Sequence, residues 1–280
     1  RKVWCIDSVR ECKDVARHAR RENRTIHMGR IFGIMVEKNH ELSKEDKHRK
    51  FKYRVVFQGN NVCTQDFESA IFQDLGSSPA SMEASKNIDC YCCFPGHSIQ
   101  QADAEQAYVQ AELTGTEAWV AIPEEAWPKE WYNYPEGITP DSPDAKELRT
   151  PKYERPGCKL LRALYGHPDA GTMWEKHCHK RLLKNGFVPV TSWPSCYFHA
   201  RLSLLLTVYV DDFKLSGPAH NLAEGWSLFR SAIKTDEPHA VDHFLGCKHV
   251  AFERTLPETG KKVRGIEYDM SDFLNSCVDK

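Results

Sequence analysis

The sequence has no long hydrophobic run. Its longest near-apolar stretch, Leu204 to Val210, is seven residues, against the ~20 that a helix needs to cross a bilayer. That excludes a membrane-spanning helix. No charged-then-apolar leader opens the chain, and no internal repeat is visible. Zinc-finger spacing is missing as well: Cys90, Cys92 and Cys93 cluster tightly, but no second CxxC or HxxxH stands where a Cys/His zinc site requires it. Core packing is the reading for that cluster. His177 and His179, two apart, sit on different faces of a helix and do not share a metal. Net charge is also scarce, 38 Lys+Arg against 39 Asp+Glu.

The small total hides an asymmetry. Residues 1–54 carry 16 Lys+Arg against 8 Asp+Glu, leaving 22 against 31 in the remainder. A basic part beside an acidic one suits a protein that holds polyanions with the first and metal ions with the second, or one with a plain solvated basic face. At 41% hydrophobic, 280 residues suffice for one large domain or two small ones. Eleven scattered cysteines, odd in number, read as reduced thiols in a soluble, intracellular chain, cytoplasmic or nuclear. A start at Arg1 and an end at Lys280, inside an expected helix, read as a fragment.

Residues 1–25 are polar and Arg-rich and read as a helix or loose lead-in. Arg30–Val36 and Phe51–Phe57 then form a hairpin with a charged tip, in which Lys52 and Arg54 share one face because strand side chains alternate. A helix is expected within Pro79–Cys93, with Met82, Ile88, Cys92 and Cys93 on its buried side. Residues 114–156 hold seven of the fifteen prolines and read as a long irregular connection. A helix near Thr172–Asn185 follows, with Met173, Trp174, Cys178, Leu182 and Leu183 at helical spacing and Gly186 at its stop. Strands are expected at Tyr197–Phe198 and Leu202–Val210, a helix near Ala223–Ile233, a hairpin with arms at His243–Phe252 and Lys261–Tyr268, and a last helix from Ser271.

The feature that carries chemistry is the Leu204–Leu215 segment, in which Asp211 and Asp212 sit at the tip of an apolar hairpin. Adjacent carboxylates repel, and divalent cations are their natural counter-charge. A second acid of this kind, Asp103, ends the strand Ile99-Gln100-Gln101-Ala102. If the two strands are neighbours in one sheet, Asp103 and Asp211 meet at its end and can hold two Mg²⁺ through oxygen ligands. Two such ions clamp the attacking and leaving oxygens of a phosphoryl displacement.

Tyr209-Val210-Asp211-Asp212 after a Leu-rich strand resembles the catalytic hairpin of reverse transcriptases, and most closely that of the copia-type retrotransposon branch. Four more segments match that branch in order. Lys52-Tyr53-Arg54-Val55-Val56-Phe57-Gln58-Gly59 is similar to its K-x-R-L-V-x-x-G strand, and Gln101-Ala102-Asp103-Ala104-Glu105-Gln106-Ala107-Tyr108 to its first catalytic motif, L-D-V-x-N-A-F. Lys159-Leu160-Leu161-Arg162-Ala163-Leu164-Tyr165-Gly166, with Trp174 on the next helix, is similar to L-x-K-A-L-Y-G and its downstream Trp. Phe244-Leu245-Gly246 is similar to its Y-F-L-G-I.

The resemblance implies an α+β polymerase palm, an antiparallel sheet backed by helices, with fingers and a truncated thumb. Residues 1–29 would be a basic lead-in, 30–268 fingers and palm with a primer-grip-like hairpin at 243–268, and 269–280 the start of the thumb. It implies RNA-directed DNA synthesis, a nucleotidyl transfer of dNTPs to a primer 3′-OH with two Mg²⁺ ions, or Mn²⁺ in their place. Asp103, Asp211 and Asp212 would be the catalytic and metal-binding acids. Ala104, through its carbonyl, Tyr108, as a block to a ribose 2′-hydroxyl, and Lys52 and Arg54, at the triphosphate, would contact the nucleotide. Tyr209, Gly166, Phe244, Leu245 and Gly246 would meet RNA template and DNA primer. The chain departs from the pattern after Gly166, where His167-Pro168-Asp169-Ala170-Gly171 replaces L-K-Q-A-P and the nucleotide-seating Gln is missing. Protease, zinc-knuckle, integrase and RNase H signatures are absent, so it matches only the polymerase segment of a Pol polyprotein. The alternatives are a catalytically dead, transposon-derived nucleic-acid-binding remnant, and a two-metal nuclease.

Overall fold

Apolar alternation and turn residues account for most of the strand pairings in the computed structural model, which describes residues 2–38, 43–47, 49–72 and 78–278. In chain order the longer elements are Trp4–Glu11 (β1), Cys12–Arg21 (α1), Ile26–Lys38 (β2), Lys50–Phe57 (β3), Met82–Cys92 (α2), His97–Asp103 (β4), Glu117–Ala121 (β5) and Pro156–Leu160 (β6). They continue with Ala170–Lys184 (α3), Cys196–His199 (β7), Leu204–Tyr209 (β8), Asp212–Pro218 (β9), Ala219–Arg230 (α4), Cys247–Thr255 (β10), Lys262–Asp269 (β11) and Ser271–Val278 (α5). The protein is mixed α/β with largely antiparallel sheets. No helix among the described residues is long and apolar enough to cross a membrane.

Two compact units divide the chain, Arg1–Leu75 with Ala111–Met173, and Gly76–Gln110 with Trp174–Lys280. The first holds a five-stranded sheet in the order β1-β6-β5-β2-β3. The expected hairpin is there, running from Ile31 opposite Phe57 to Lys38 opposite Lys50; part of its charged tip lies outside the described residues.

Of the helix or loose lead-in expected over residues 1–25, the helix is there and a strand precedes it: β1 pairs with β6, and α1 buries Val15, Ala16 and Ala19 against Ile26, Met28 and Trp119. Three small apolar positions suffice to seat a helix whose other side chains are mostly charged. One expectation for this unit fails, in the 114–156 segment. That segment is not irregular throughout. Glu117–Ala121 is a strand inside the sheet, parallel to β2 and antiparallel to β6. Ala118, Trp119 and Val120 are all buried, so the segment lacks the period-two pattern that announces a strand with one wet face.

The motif glycines Gly59 and Gly166 have a packing role in this unit. A Cβ on Gly59 would stand 2.1 Å from the Gly166 carbonyl oxygen, and one on Gly166 would stand 2.1 Å from that of Phe57. Backbone meets backbone there, and Phe57 N–H donates to the Tyr165 carbonyl at 2.7 Å.

The second unit holds a six-stranded sheet in the order His239–Ala240, β4, β9, β8, β7, Val188–Pro189. On one side, Phe213, Leu215, Leu204 and Leu206 form a core with Trp174, Cys178 and Leu182 of α3 and Leu222, Trp226 and Phe229 of α4. Each large apolar side chain buried there is worth roughly 2 kcal/mol. Gly186 stops α3 with φ of 82°, as expected, while Leu183 is exposed. Helix α2 is capped by Ser81, whose hydroxyl accepts from Ala84 N–H at 3.2 Å. It buries Ile88 and Cys92 but leaves Met82 and Cys90 exposed and Cys93 half-buried, so the expected core role of the cysteine cluster holds for Cys92 alone. A separate three-stranded sheet joins His243–Phe244, β10 and β11. Phe244 pairs with Cys247, which leaves Leu245-Gly246 as a two-residue turn with φ of 52° and 77°, the signs a type I′ hairpin turn requires.

Candidate functional site

Strands β4 and β9 pair antiparallel, and their register sets Asp212 directly opposite Asp103. Strands β8 and β9 pair from Leu205 opposite Ser216 to Tyr209 opposite Asp212. Val210 and Asp211 are therefore the two residues of a tight turn at the sheet's end. The register thus brings Asp103 and Asp212 side by side at this corner of the second unit, with Asp211 next to them in the turn.

The turn is fixed from both sides. Val210 takes a positive φ of 57°, unusual for a β-branched residue. Its carbonyl accepts the Trp174 indole N–H at 2.6 Å, and the Asp211 carbonyl accepts Ala104 N–H at 2.7 Å. Trp174, buried on α3, is thus the brace of the acidic turn. Ala104, expected to offer its carbonyl to a metal, supplies its amide to the turn.

A fourth acid, missed in the sequence, completes the corner. Asp103 N–H donates to Asp236 Oδ1 at 2.8 Å, and Asp236 N–H donates back to the Asp103 carbonyl at 3.1 Å. Segments 103–110 and 234–236 are stitched further by Gln110, whose amide donates to the Glu105 and Lys234 carbonyls and whose oxygen accepts Lys234 N–H, each at 2.9 Å. A lone Asp between Thr235 and Glu237 carries no motif; only its place before the edge strand at His239 could have pointed to it.

Crowding raises the pKa values of Asp103 and Asp212. Burial, then the charges of Asp103 and Asp211, then a hydrogen bond to Asp103 push Asp212 up to about 7. Burial and the Asp236 charge raise Asp103 too, partly opposed by its hydrogen bond with Asp212. When protonated, Asp212 is placed to donate to Asp103. Tyr108 is half-buried against the core beside Ala107, and its phenol is raised by burial and then by the Asp211 charge. Tyr209 is exposed next to the turn.

Among the described residues no three His, Cys, Asp or Glu side chains are gathered so as to hold a metal ion as they stand. The chemistry of the donors fits one nonetheless. They are hard oxygens, and the negative charge that raises Asp103 and Asp212 is of the kind a proton or a divalent cation relieves.

The remaining expected residues lie elsewhere. Lys52 and Arg54 are exposed on β3 of the first unit, with the Arg54 guanidinium 5.5 Å from the Tyr165 ring centre. Gly166 belongs to that unit, in the backbone contact described above. His167, the residue after it, is buried against Phe57 and Phe72. Phe244, Leu245 and Gly246 form the hairpin turn of the second unit. Phe244 is buried, with its ring centre 4.4 Å from the Lys214 ammonium.

No model of a protein family matches this chain, and no curated protein matches it either.

Proposed function

We propose that the chain is the polymerase segment of a copia-type reverse transcriptase, a palm with fingers that adds dNTPs to a DNA primer on an RNA template. The observation that carries the reading is the pairing of Asp103 with Asp212 beside Asp211, at the end of an antiparallel sheet backed by helices. The order of the five sequence motifs supports it independently.

In this reading Asp103, Asp211 and Asp212 hold two Mg²⁺ ions. Bound there, the ions would activate the primer 3′-hydroxyl and neutralise the departing pyrophosphate. The chain's own residues do the positioning. Trp174 and the Ala104 amide fix the turn that presents Asp211. Tyr108 stands beside the acids as the group that rejects a 2′-hydroxyl. Lys52 and Arg54 provide cationic donors for a polyphosphate, and the turn at Phe244-Leu245-Gly246 grips the primer. Further Pol polyprotein domains are the natural partners.

The test is extension of primed poly(rA) with dTTP and Mg²⁺ by the purified chain. Wild type extends and Asp211→Asn does not; extension at an undiminished rate by Asp211→Asn refutes the assignment. One observation favours a second reading, a nucleic-acid-binding remnant without turnover. His167 faces the core where the family motif leads on to a nucleotide-seating Gln. That reading expects salt-sensitive binding of RNA or DNA with no incorporation.

A further inference from the structure

Lys214 lies on β9 two residues beyond Asp212, hence on the same side of the sheet, and is fully buried. Between Phe213 and Leu215 an apolar residue would be the more stabilising choice, because a buried ion pair seldom recovers its desolvation cost. Its ammonium donates to Asp89 Oδ1 of α2 at 2.7 Å and rests on the Phe244 ring. The other Asp89 oxygen accepts the Tyr268 hydroxyl at 2.9 Å and faces His249 Nε2 at 3.2 Å. Tyr268 and His249 are directly opposed on β11 and β10. One buried carboxylate therefore joins the acid-bearing strand, helix α2 and the β10–β11 hairpin.

Packing alone does not fix that hairpin. A cavity of about 260 Å³ lies between it and α2, lined by Met82, Phe244, Leu245, His249, Tyr268 and Met270 among others. Two other ties reach it: Gln101 Nε2 of β4 donates to the His243 carbonyl at 3.1 Å, and Arg264 donates to the His97 and Phe94 carbonyls at 3.1 and 3.5 Å on an exposed edge. Of these ties, the Asp89 joint is the one that engages both long strands of the hairpin, through His249 of β10 and Tyr268 of β11.

We propose that Asp89 is a positioning residue for the primer: held by Lys214, it anchors Tyr268 and His249 and so fixes the Phe244-Leu245-Gly246 turn relative to Asp212. The role in primer placement rests on the polymerase reading, whereas the anchoring does not. Two variants separate joint from fold. Asp89→Leu with Lys214→Met replaces the ion pair by apolar groups and restores folding stability. Tyr268→Phe with His249→Phe keeps the ion pair and cuts the hairpin's bonds to Asp89, together with the His249 Nδ1 contact to the Cys247 carbonyl, which the first variant leaves in place.

Hydrogen exchange of residues 243–268 is the readout that needs no activity. Both variants should exchange about tenfold or more faster there than wild type, as expected for losing bonds to a charged group, with β8 and β9 unchanged. In primer extension the KM for primed template should rise about tenfold, with kcat at saturation within about threefold. Wild-type exchange at 243–268 in both variants overturns the anchoring. Faster exchange with an unchanged primer KM overturns its role in placing the primer. A wild-type protein that extends nothing sinks the polymerase reading and with it that role, while the exchange result still decides the anchoring.

Discussion

The Trp174 indole N–H donates to the Val210 carbonyl at 2.6 Å, joining the start of α3 to the turn that presents Asp211. Trp174 therefore does more than fill the core, because it supplies the partner that a buried carbonyl needs. Trp174→Phe keeps much of the apolar volume and removes the donor. It should lower stability by about 1–3 kcal/mol, the cost of a buried acceptor left unpaired, and slow extension while the KM for dTTP stays near wild type. Urea denaturation and steady-state kinetics check the two halves; stability within experimental scatter of wild type would deny the brace.

Val210 itself stores strain. A β-branched residue at φ of 57° costs of order 1 kcal/mol relative to one that tolerates this region. Asn tolerates it without the unfolded-state entropy that Gly would add. Val210→Asn should raise the urea midpoint, by about 1 kcal/mol in stability. A fall of the same size would mean that the Val210 side chain contributes more by packing than the backbone loses.

His167 makes the first unit acid-sensitive. Burial, with a smaller push from His27, lowers its pKa to about 4, below the ordinary 6.5. The folded state keeps it neutral while the unfolded chain takes up a proton below pH 6.5. Stability is therefore whole above that pH and falls as pH drops toward 4, by about 3 kcal/mol in all. Burial lowers His27 as well, with the same sign. His167→Leu should flatten the stability profile between pH 6.5 and 4 without abolishing the slope; a profile as steep as wild type would place the acid sensitivity elsewhere.

The meeting of Asp103 with Asp211 and Asp212 was legible because each ends a strand with apolar neighbours, and a strand-end acid has one place to go when the strands pair. Trp174 was legible as a marker, though not as a donor to a carbonyl. Lys214 was illegible for a physical reason. Asp212, Lys214 and Ser216 alternate with Phe213 and Leu215, which reads as a wet face, yet α2 and the β10–β11 hairpin cover that side, and Asp89 sits 125 residues away in sequence. Strand β5 failed in the opposite sense, being buried on both faces and so without alternation. Asp236 engages Asp103 across 133 residues, a distance at which no local pattern speaks.

The titration of Asp212 gives the sharpest contrast between proton and metal. Its pKa of about 7 in the folded protein, against an ordinary 3.8, means that the folded state holds a proton which the unfolded chain has released. The resulting stability is complete below about pH 3.8 and is lost as pH rises through 7. Asp212→Asn keeps a donor to Asp103 and does not titrate. Its melting temperature should therefore move in its favour relative to wild type from pH 4 to pH 8. If Mg²⁺ takes the place of the proton, millimolar Mg²⁺ at pH 8 should raise the melting temperature of wild type and leave Asp212→Asn nearly unmoved. Equal shifts in the two proteins would mean that the ion binds elsewhere, and a pH-independent difference would mean that Asp212 is an ordinary surface carboxylate.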